Sequence, residues 1–265
     1  MTVTVRSAAG SDIGRRRAVN QDSAYTSSRL LAVADGMGGH AHGEVASAVA
    51  ISTIQAVDAD LERADLHAVD LLATLGDAMS VAAQRLTEAA YSDPELRGTG
   101  TTLVALLLDG TRVGVGHIGD SRAYVLRDDE LHQLTHDHTL VQSLVDEGKL
   151  TPDEAITHPR RSVLVRTLQE GSPVEPDLFP IEGQVGDRFL VCSDGVTAVL
   201  SHQQIYEILT EVAEPADVVD RIIEAANEGG GPDNITCVVA DLVDGTPADG
   251  GGFLFGAAAE QTTGL

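Results

Sequence analysis

Three aspartates carry the chemistry open to this sequence. Asp35 follows the apolar run Leu30-Leu31-Ala32-Val33-Ala34 and precedes Gly36-Met37-Gly38-Gly39-His40. Asp194 follows Arg188-Phe189-Leu190-Val191-Cys192-Ser193 and precedes Gly195, and Asp233 lies in Gly229-Gly230-Gly231-Pro232-Asp233-Asn234, directly before the apolar run from Ile235. Short apolar runs read as buried strands, and glycine lets backbone approach a ligand closely or take positive φ. Each segment therefore delivers one carboxylate, with bare peptide carbonyls beside it, at the end of a rigid element. A single Asp-Gly after a strand is an ordinary turn. Three carboxylates gathered near a core repel one another and lose hydration unless a cation compensates them, so together they predict a metal site.

Oxygen ligands are hard, and no well-placed His or Cys set accompanies them, which selects Mg²⁺ or Mn²⁺ over Zn²⁺. An aspartate that bridges two such ions holds them about 3.5–4 Å apart, and water between them loses a proton near neutral pH. Such a site suits phosphoester hydrolysis. The phosphate also needs a cation that grips it bidentately, and Arg17, in the triplet Arg15-Arg16-Arg17, is the candidate. Taken alone, that triplet reads equally well as a solvated turn.

The elements that must position these residues follow from the patterning. With 265 residues, 43% hydrophobic composition and 3% aromatics without Trp, the core is built from Val, Leu, Ala and Ile in one large domain or two intimately packed sheets. A first strand is expected over residues 2–9. Helices are expected from Gly43-Glu44, with Val45, Ala46, Val49, Ala50, Ile54 and Val57 on one face, and over 66–91. Thr102–Leu108 and Arg112–Ile118, joined by Asp109-Gly110, predict a hairpin, and the following strand 123–127 continues an antiparallel meander. Residues 138–170 interrupt the sheet with a small helical insertion, where Thr151-Pro152-Asp153-Glu154 is a helix start with a capping box. Strands are expected at 176–181, 187–193 and 235–243, and helices at 201–209 and 215–227. Residues 1–244 read as the folded domain, and 245–265, opening on Gly245-Thr246-Pro247-Ala248-Asp249-Gly250-Gly251-Gly252, as a disordered tail or linker.

Seventeen Lys and Arg against 41 Asp and Glu give a formal charge of -24, which opposes nucleic-acid and anionic-membrane binding and suits divalent cations. Cys192 and Cys237 sit inside strand patterns as small buried hydrophobes, no signal peptide opens the chain, and no apolar run reaches the roughly 18 residues of a membrane span. A reducing, cytoplasmic setting without membrane contact by this chain is the expectation.

Seven motifs, in order, resemble the metal-dependent PPM (PP2C-type) Ser/Thr protein phosphatases: Arg17-Ala18-Val19-Asn20-Gln21-Asp22, Asp35-Gly36-Met37-Gly38-Gly39-His40, Gly100-Thr101-Thr102, Gly119-Asp120-Ser121-Arg122, Leu134-Thr135-His136-Asp137-His138, Ser193-Asp194-Gly195 and Gly231-Pro232-Asp233-Asn234. The resemblance spans about residues 4–243 and is greatest to the bacterial branch, among the actinobacterial phosphatases that oppose membrane Ser/Thr kinases. It implies an α+β fold: a four-layer α-β-β-α sandwich around two antiparallel central sheets. It also implies hydrolysis of phosphoserine and phosphothreonine in proteins by a water activated between two core Mn²⁺ or Mg²⁺ ions, with a third, weaker ion. By the resemblance, Asp35 bridges the core ions, the Gly36 carbonyl binds the first, Asp194 and Asp233 complete the second, and Asp120 with Asp194 holds the third. Arg17 holds the phosphate, Asp22 acts in the outer shell, Asn234 orients Asp233, and 138–170 is the variable flap. The implied partners are Ser/Thr kinases and their phosphorylated substrates, met by the cytoplasmic part of a longer, membrane-anchored protein.

Gln21 and Met37 depart from other members, which carry an acidic residue and, in animals, a histidine there; His40 is the remaining candidate general acid, and equally a structural loop residue. Gly114-Val115-Gly116-His117-Ile118-Gly119 matches a dinucleotide fingerprint only as a string, since it leads into a strand. A cysteine phosphatase is excluded, because Ala198 and Val243, not arginines, stand six residues after Cys192 and Cys237. The rival readings are a catalytically silent phosphoprotein-binding regulatory module and a small-molecule phosphatase on the same scaffold.

Overall fold

The structure, a computed structural model, describes residues 3–38, 42–245 and 251–263. In chain order β1 (Val3–Asp12), β2 (Asp22–Thr26) and β3 (Leu30–Met37) lead to helices α1 (Gly43–Leu61) and α2 (Leu71–Ser92). Then come β4 (Gly100–Thr101), β5 (Leu103–Asp109), β6 (Arg112–Ile118), β7 (Arg122–Arg127) and β8 (Glu130–Gln133). β5 and β6 form the expected hairpin, but β7 does not continue it, because the chain crosses after Ile118 to the other sheet, where β7 pairs with β8 and β11. The insertion holds α3 (Leu140–Asp146), α4 (Pro152–Ile156) and β9 (Leu168–Gln169). The chain finishes with β10 (Asp177–Glu182), β11 (Arg188–Cys192), α5 (Asp194–Thr197), α6 (His202–Glu211), α7 (Pro215–Glu228), β12 (Ile235–Asp244), β13 (Phe253–Gly256) and α8 (Ala257–Thr263).

Two antiparallel sheets result, one in the order β1-β12-β11-β7-β8 and the other β10-β6-β5-β3-β2-β13, with β4 and β9 appended beside β3. Side chains alternate across a strand, so the continuous apolar runs of β3, β5, β11 and β12 bury both faces. In β3, Leu31 and Val33 point into the layer between the sheets, while Leu30, Ala32 and Ala34 pack toward α1 and α2. In β12, Val238, Ala240 and Leu242 share that inner layer, while Ile235, Cys237 and Val239 pack toward α6 and α7. This is the expected α-β-β-α sandwich. No helix among the described residues is long and apolar enough to cross a membrane.

Several details depart from the sequence reading. The helix expected over 66–91 is broken: a 3₁₀ turn occupies Leu66–Ala68, and α2 starts at Leu71 because the Asp70 carboxylate caps it, accepting from the Leu72 and Ala73 N–H groups at 3.1 Å. β3 does not stop at Asp35 but continues through Gly36 and Met37, which pair with Thr101 and Gly100. The disordered tail is corrected for 251–263, since β13 pairs antiparallel with β2, Phe253 opposite Thr26 and Gly256 opposite Ser23. Its glycines serve close approach: a Cβ on Gly252 would fall 1.7 Å from the Tyr25 hydroxyl oxygen, so only a bare backbone passes there. Gly39, His40 and residues 246–250 and 264–265 lie outside the described residues.

Beneath that strand, Tyr25 donates to Asp58 Oδ2 at 2.7 Å and Arg29 Nε donates to Asp58 Oδ1 at 2.6 Å, so a carboxylate only 3% exposed is satisfied on both oxygens. Tyr25→Phe leaves one buried oxygen short of a donor and is expected to cost about 1–3 kcal/mol in urea unfolding. A midpoint equal to that of the wild type contradicts this account.

Candidate metal centre

Both sheets send carboxylates to one end of their seam. β2 and β3 place Asp22 directly opposite Asp35, and the turn between β6 and β7 carries Asp120. α5, which starts where β11 ends, presents Asp194, and the turn before β12 presents Asp233. Asp35, Gly36, Asp120, Asp194 and Asp233 line a single cleft of about 320 Å³ together with Arg17, Gln21, Met37, Thr102 and Asn234. The insertion contributes Ser162 and Leu164 to the same wall.

Backbone hydrogen bonds set these side chains. Asp35 N–H donates to Thr102 Oγ1 at 3.0 Å and its carbonyl accepts from Thr102 N–H at 2.9 Å, leaving the carboxylate to the cleft. Gly36 has no room for a side chain: a Cβ would lie 2.0 Å from the Gly43 carbonyl oxygen and 2.6 Å from that of Gln21. Asp233 Oδ1 accepts from Asn234 N–H at 2.9 Å and Oδ2 accepts from Arg17 Nη2 at 2.5 Å. The Asn234 side chain acts elsewhere than expected. It donates to the Ile13 and Val19 carbonyls at 3.0 and 3.1 Å and accepts from Gln21 N–H at 2.9 Å, thereby pinning the loop that carries Arg17.

Burial dominates the electrostatics, with mutual repulsion added to it. Asp22 is pushed up to about 7 and Asp120 to about 8, in each case first by burial and then by neighbouring charges that include Asp194. Asp35 is raised well above the carboxylate range by burial and by Asp22, Asp194, Asp120 and Asp233. Asp194 is also raised, by burial and Asp233, against a hydrogen bond with Asp35 and the pull of Arg17 and Arg122. Asp22 Oδ2 accepts from Ser193 Oγ at 2.7 Å while its buried Oδ1 has no partner. An orphaned carboxylate oxygen beside four acidic groups, with all donors oxygen, fits hard divalent cations.

Asp35, Gly36, Asp120, Asp194, Asp233 and Arg17 thus meet in one place, whereas His40 lies outside the described residues. The sequence reading gave no role to Ser193, which ties Asp22 to the end of β11; its signal was its place in the Ser193-Asp194-Gly195 motif.

Known proteins resemble most of the chain. Residues 9–228 match the family described as protein phosphatase 2C. The serine/threonine protein phosphatase PstP of Mycobacterium tuberculosis is 50% identical over 244 residues, which cover 92% of this chain and 46% of that protein, so the chain spans about half the length of that relative. The serine/threonine phosphatase stp of Listeria innocua is 36% identical over 236 residues, 87% of this chain and 93% of its own. A crystal structure of the catalytic domain of PstP in complex with two manganese ions superposes with a TM-score of 0.84 at 48% identity, covering 92% of this chain and all of that one.

Proposed function

The chain belongs to the protein phosphatase 2C family, and we propose that it hydrolyses phosphoserine and phosphothreonine in proteins with Mn²⁺ or Mg²⁺ held in the cleft. One observation carries the reading: aspartates from two sheets, separated by up to the whole domain in sequence, converge in a cleft where burial and mutual repulsion raise Asp35, Asp120 and Asp194 above the ordinary carboxylate range. Asp35, the Gly36 carbonyl, Asp194 and Asp233 would hold two core ions, and Asp120 with Asp194 a third. The bound ions would supply an activated water and Lewis-acid stabilisation of the phosphate oxygens.

The chain's own groups do the rest. Arg17 keeps a side chain 47% exposed while one nitrogen rests on Asp233, so its remaining N–H groups are free to grip phosphate bidentately over the carboxylates. Asn234 fixes that arginine's loop, and Ser193 fixes Asp22 behind Asp35. Residues 138–170 serve as the flap, whose Ser162 and Leu164 border the cleft where a protein substrate enters. Ser/Thr kinases and their phosphorylated substrates are the partners this reading assigns. By the family resemblance it places the domain in the cytoplasm, as part of a membrane-anchored protein.

Hydrolysis of a phosphothreonine peptide and of a sugar phosphate, each with Mn²⁺ or EDTA, tests the proposal. Turnover of the peptide with Mn²⁺ and none with EDTA is expected, with KM for the peptide raised about tenfold or more in Arg17→Ala, the scale of one lost charge-assisted bidentate contact. Peptide turnover by neither form of a folded protein favours the silent phosphoprotein-binding module, and preference for the sugar phosphate favours a small-molecule phosphatase.

A further inference from the structure

Resting on the phosphatase reading, and in particular on Asp120 as a ligand, we propose that His138 is a positioning residue that fixes the Gly119 peptide carrying Asp120 and ties that placement to the seating of the flap. His138 and Gly119 hold each other twice: His138 N–H donates to the Gly119 carbonyl at 2.8 Å, and Gly119 N–H donates to His138 Nδ1 at 3.1 Å. Asp120 is therefore anchored on its N-terminal side by a residue at the start of the flap.

The other ring nitrogen faces Asp177 Oδ2 at 3.1 Å. Because Nδ1 accepts from Gly119, the proton of neutral His138 sits on Nε2 and is donated to Asp177. Asp177 Oδ1 in turn accepts from Arg166 Nη1 at 2.8 Å, and Arg166 lies in the flap. The His138 carbonyl closes the loop by accepting from Val165 N–H at 2.9 Å. Thus Arg166, Asp177, His138 and Gly119 form one hydrogen-bonded series from the flap to the metal centre.

The ring has no freedom to leave this arrangement. Its side chain is 1% exposed, and the ring of His117 lies against it with centroids 4.5 Å apart. His117 is itself fully buried with neither ring nitrogen hydrogen-bonded, and burial pushes it down to about 3, so it presents a neutral wall. His117, His138 and Asp177 could be taken for a metal site of their own, since their ligand atoms lie within 4.8 Å of one another. The tautomer argues against that. Neutral His138 has one lone-pair nitrogen, already given to Gly119 N–H, whereas a metal-bound histidine donates through its second nitrogen.

Amide exchange across 117–121 in the metal-free protein, together with Mn²⁺ titration calorimetry, tests the proposal. In His138→Leu, which loses both bonds of the ring, exchange of the Gly119 amide is expected to rise about tenfold or more. The weakest class of Mn²⁺ is expected to bind about 10–100-fold less tightly, the usual scale for losing an outer support, with the tighter class unchanged. His138→Asn, whose Oδ1 can accept from Gly119 N–H, recovers most of both effects. Asp177→Ala, which frees the ring from the flap but leaves Nδ1 in place, falls between, and it carries the comparison if His138→Leu does not fold. The proposal is overturned if the tight and weak classes weaken together, if the variants match the wild type, or if the wild type binds only one class. A wild type with both classes and no turnover of phosphothreonine peptide instead overturns the phosphatase reading and leaves the positioning role standing.

Discussion

Asp35→Asn is expected to lose turnover of a phosphothreonine peptide by a factor on the order of 10³ or more, the scale on which one preorganised electrostatic group acts. In EDTA at pH 8 the same variant is expected to melt above the wild type. Two facts give the opposite signs. The fixed bonds of Asp35 to Thr102 are made by its backbone, so the amide substitution leaves them in place. Its carboxylate faces Asp22, Asp194, Asp120 and Asp233, so in the metal-free protein the substitution removes a repelling, desolvated charge. A gain of about 2–5 °C in EDTA follows from roughly 1 kcal/mol relieved. With saturating Mn²⁺ the order reverses, because the wild type gains binding energy that the variant lacks. Differential scanning calorimetry in both conditions reads this crossing. A variant that melts lower in EDTA as well would show that Asp35 supports the fold through its side chain, and one that keeps full turnover would remove it from the centre.

The stabilisation by Mn²⁺ is expected to widen as pH rises. In the metal-free fold Asp22 and Asp120 stand at about 7 and about 8, above the ordinary 3.8. A carboxyl raised on folding contributes stability that is fully present below pH 4 and is lost as pH rises through its folded value. In EDTA, Tm therefore falls between pH 5.5 and 8.5. Divalent ions bind the ionised carboxylates, so protons compete at pH 5.5 and the competition fades by pH 8.5. At a thousandfold excess over Kd, binding adds about 4 kcal/mol, or on the order of 10 °C for a chain of this size. The gap between Mn²⁺ and EDTA is expected to be a few degrees at pH 5.5 and about 10 °C at pH 8.5. Calorimetric titration in buffers of different ionisation enthalpy should show proton release near neutral pH. A gap that is constant or shrinks with pH counts against buried, mutually repelling carboxylates as the binding site.

The candidate centre was legible where its residues interrupt a local pattern. Asp35 and Asp194 each end an apolar run just before a glycine, Asp233 stands between a glycine run and an apolar one, and such a break is visible in a few consecutive residues. The hairpin at Asp109-Gly110 and the capping box at Thr151 and Glu154 were legible for the same reason, since both are decided within one turn of chain. Elsewhere long-range partners decided. The glycine run after Asp244 has linker composition, yet β13 forms because β2 offers an unpaired edge and Tyr25 admits only a bare backbone at Gly252. Asn234 reads as a neighbour of Asp233, but its amide is captured by carbonyls more than 200 residues away in sequence, at Ile13 and Val19.

The sequence by itself determined which segments bury both faces, because unbroken apolar runs such as Leu103–Leu108 leave no side for water, and it determined which carboxylates stand at their ends. Only the tertiary structure decided that those carboxylates meet. Stacking the sheets buries Asp22 and leaves Asp35, Asp120 and Asp194 half-buried around one cleft, and the desolvation and repulsion that make the cleft a candidate cation site arise from that convergence, which no single segment encodes.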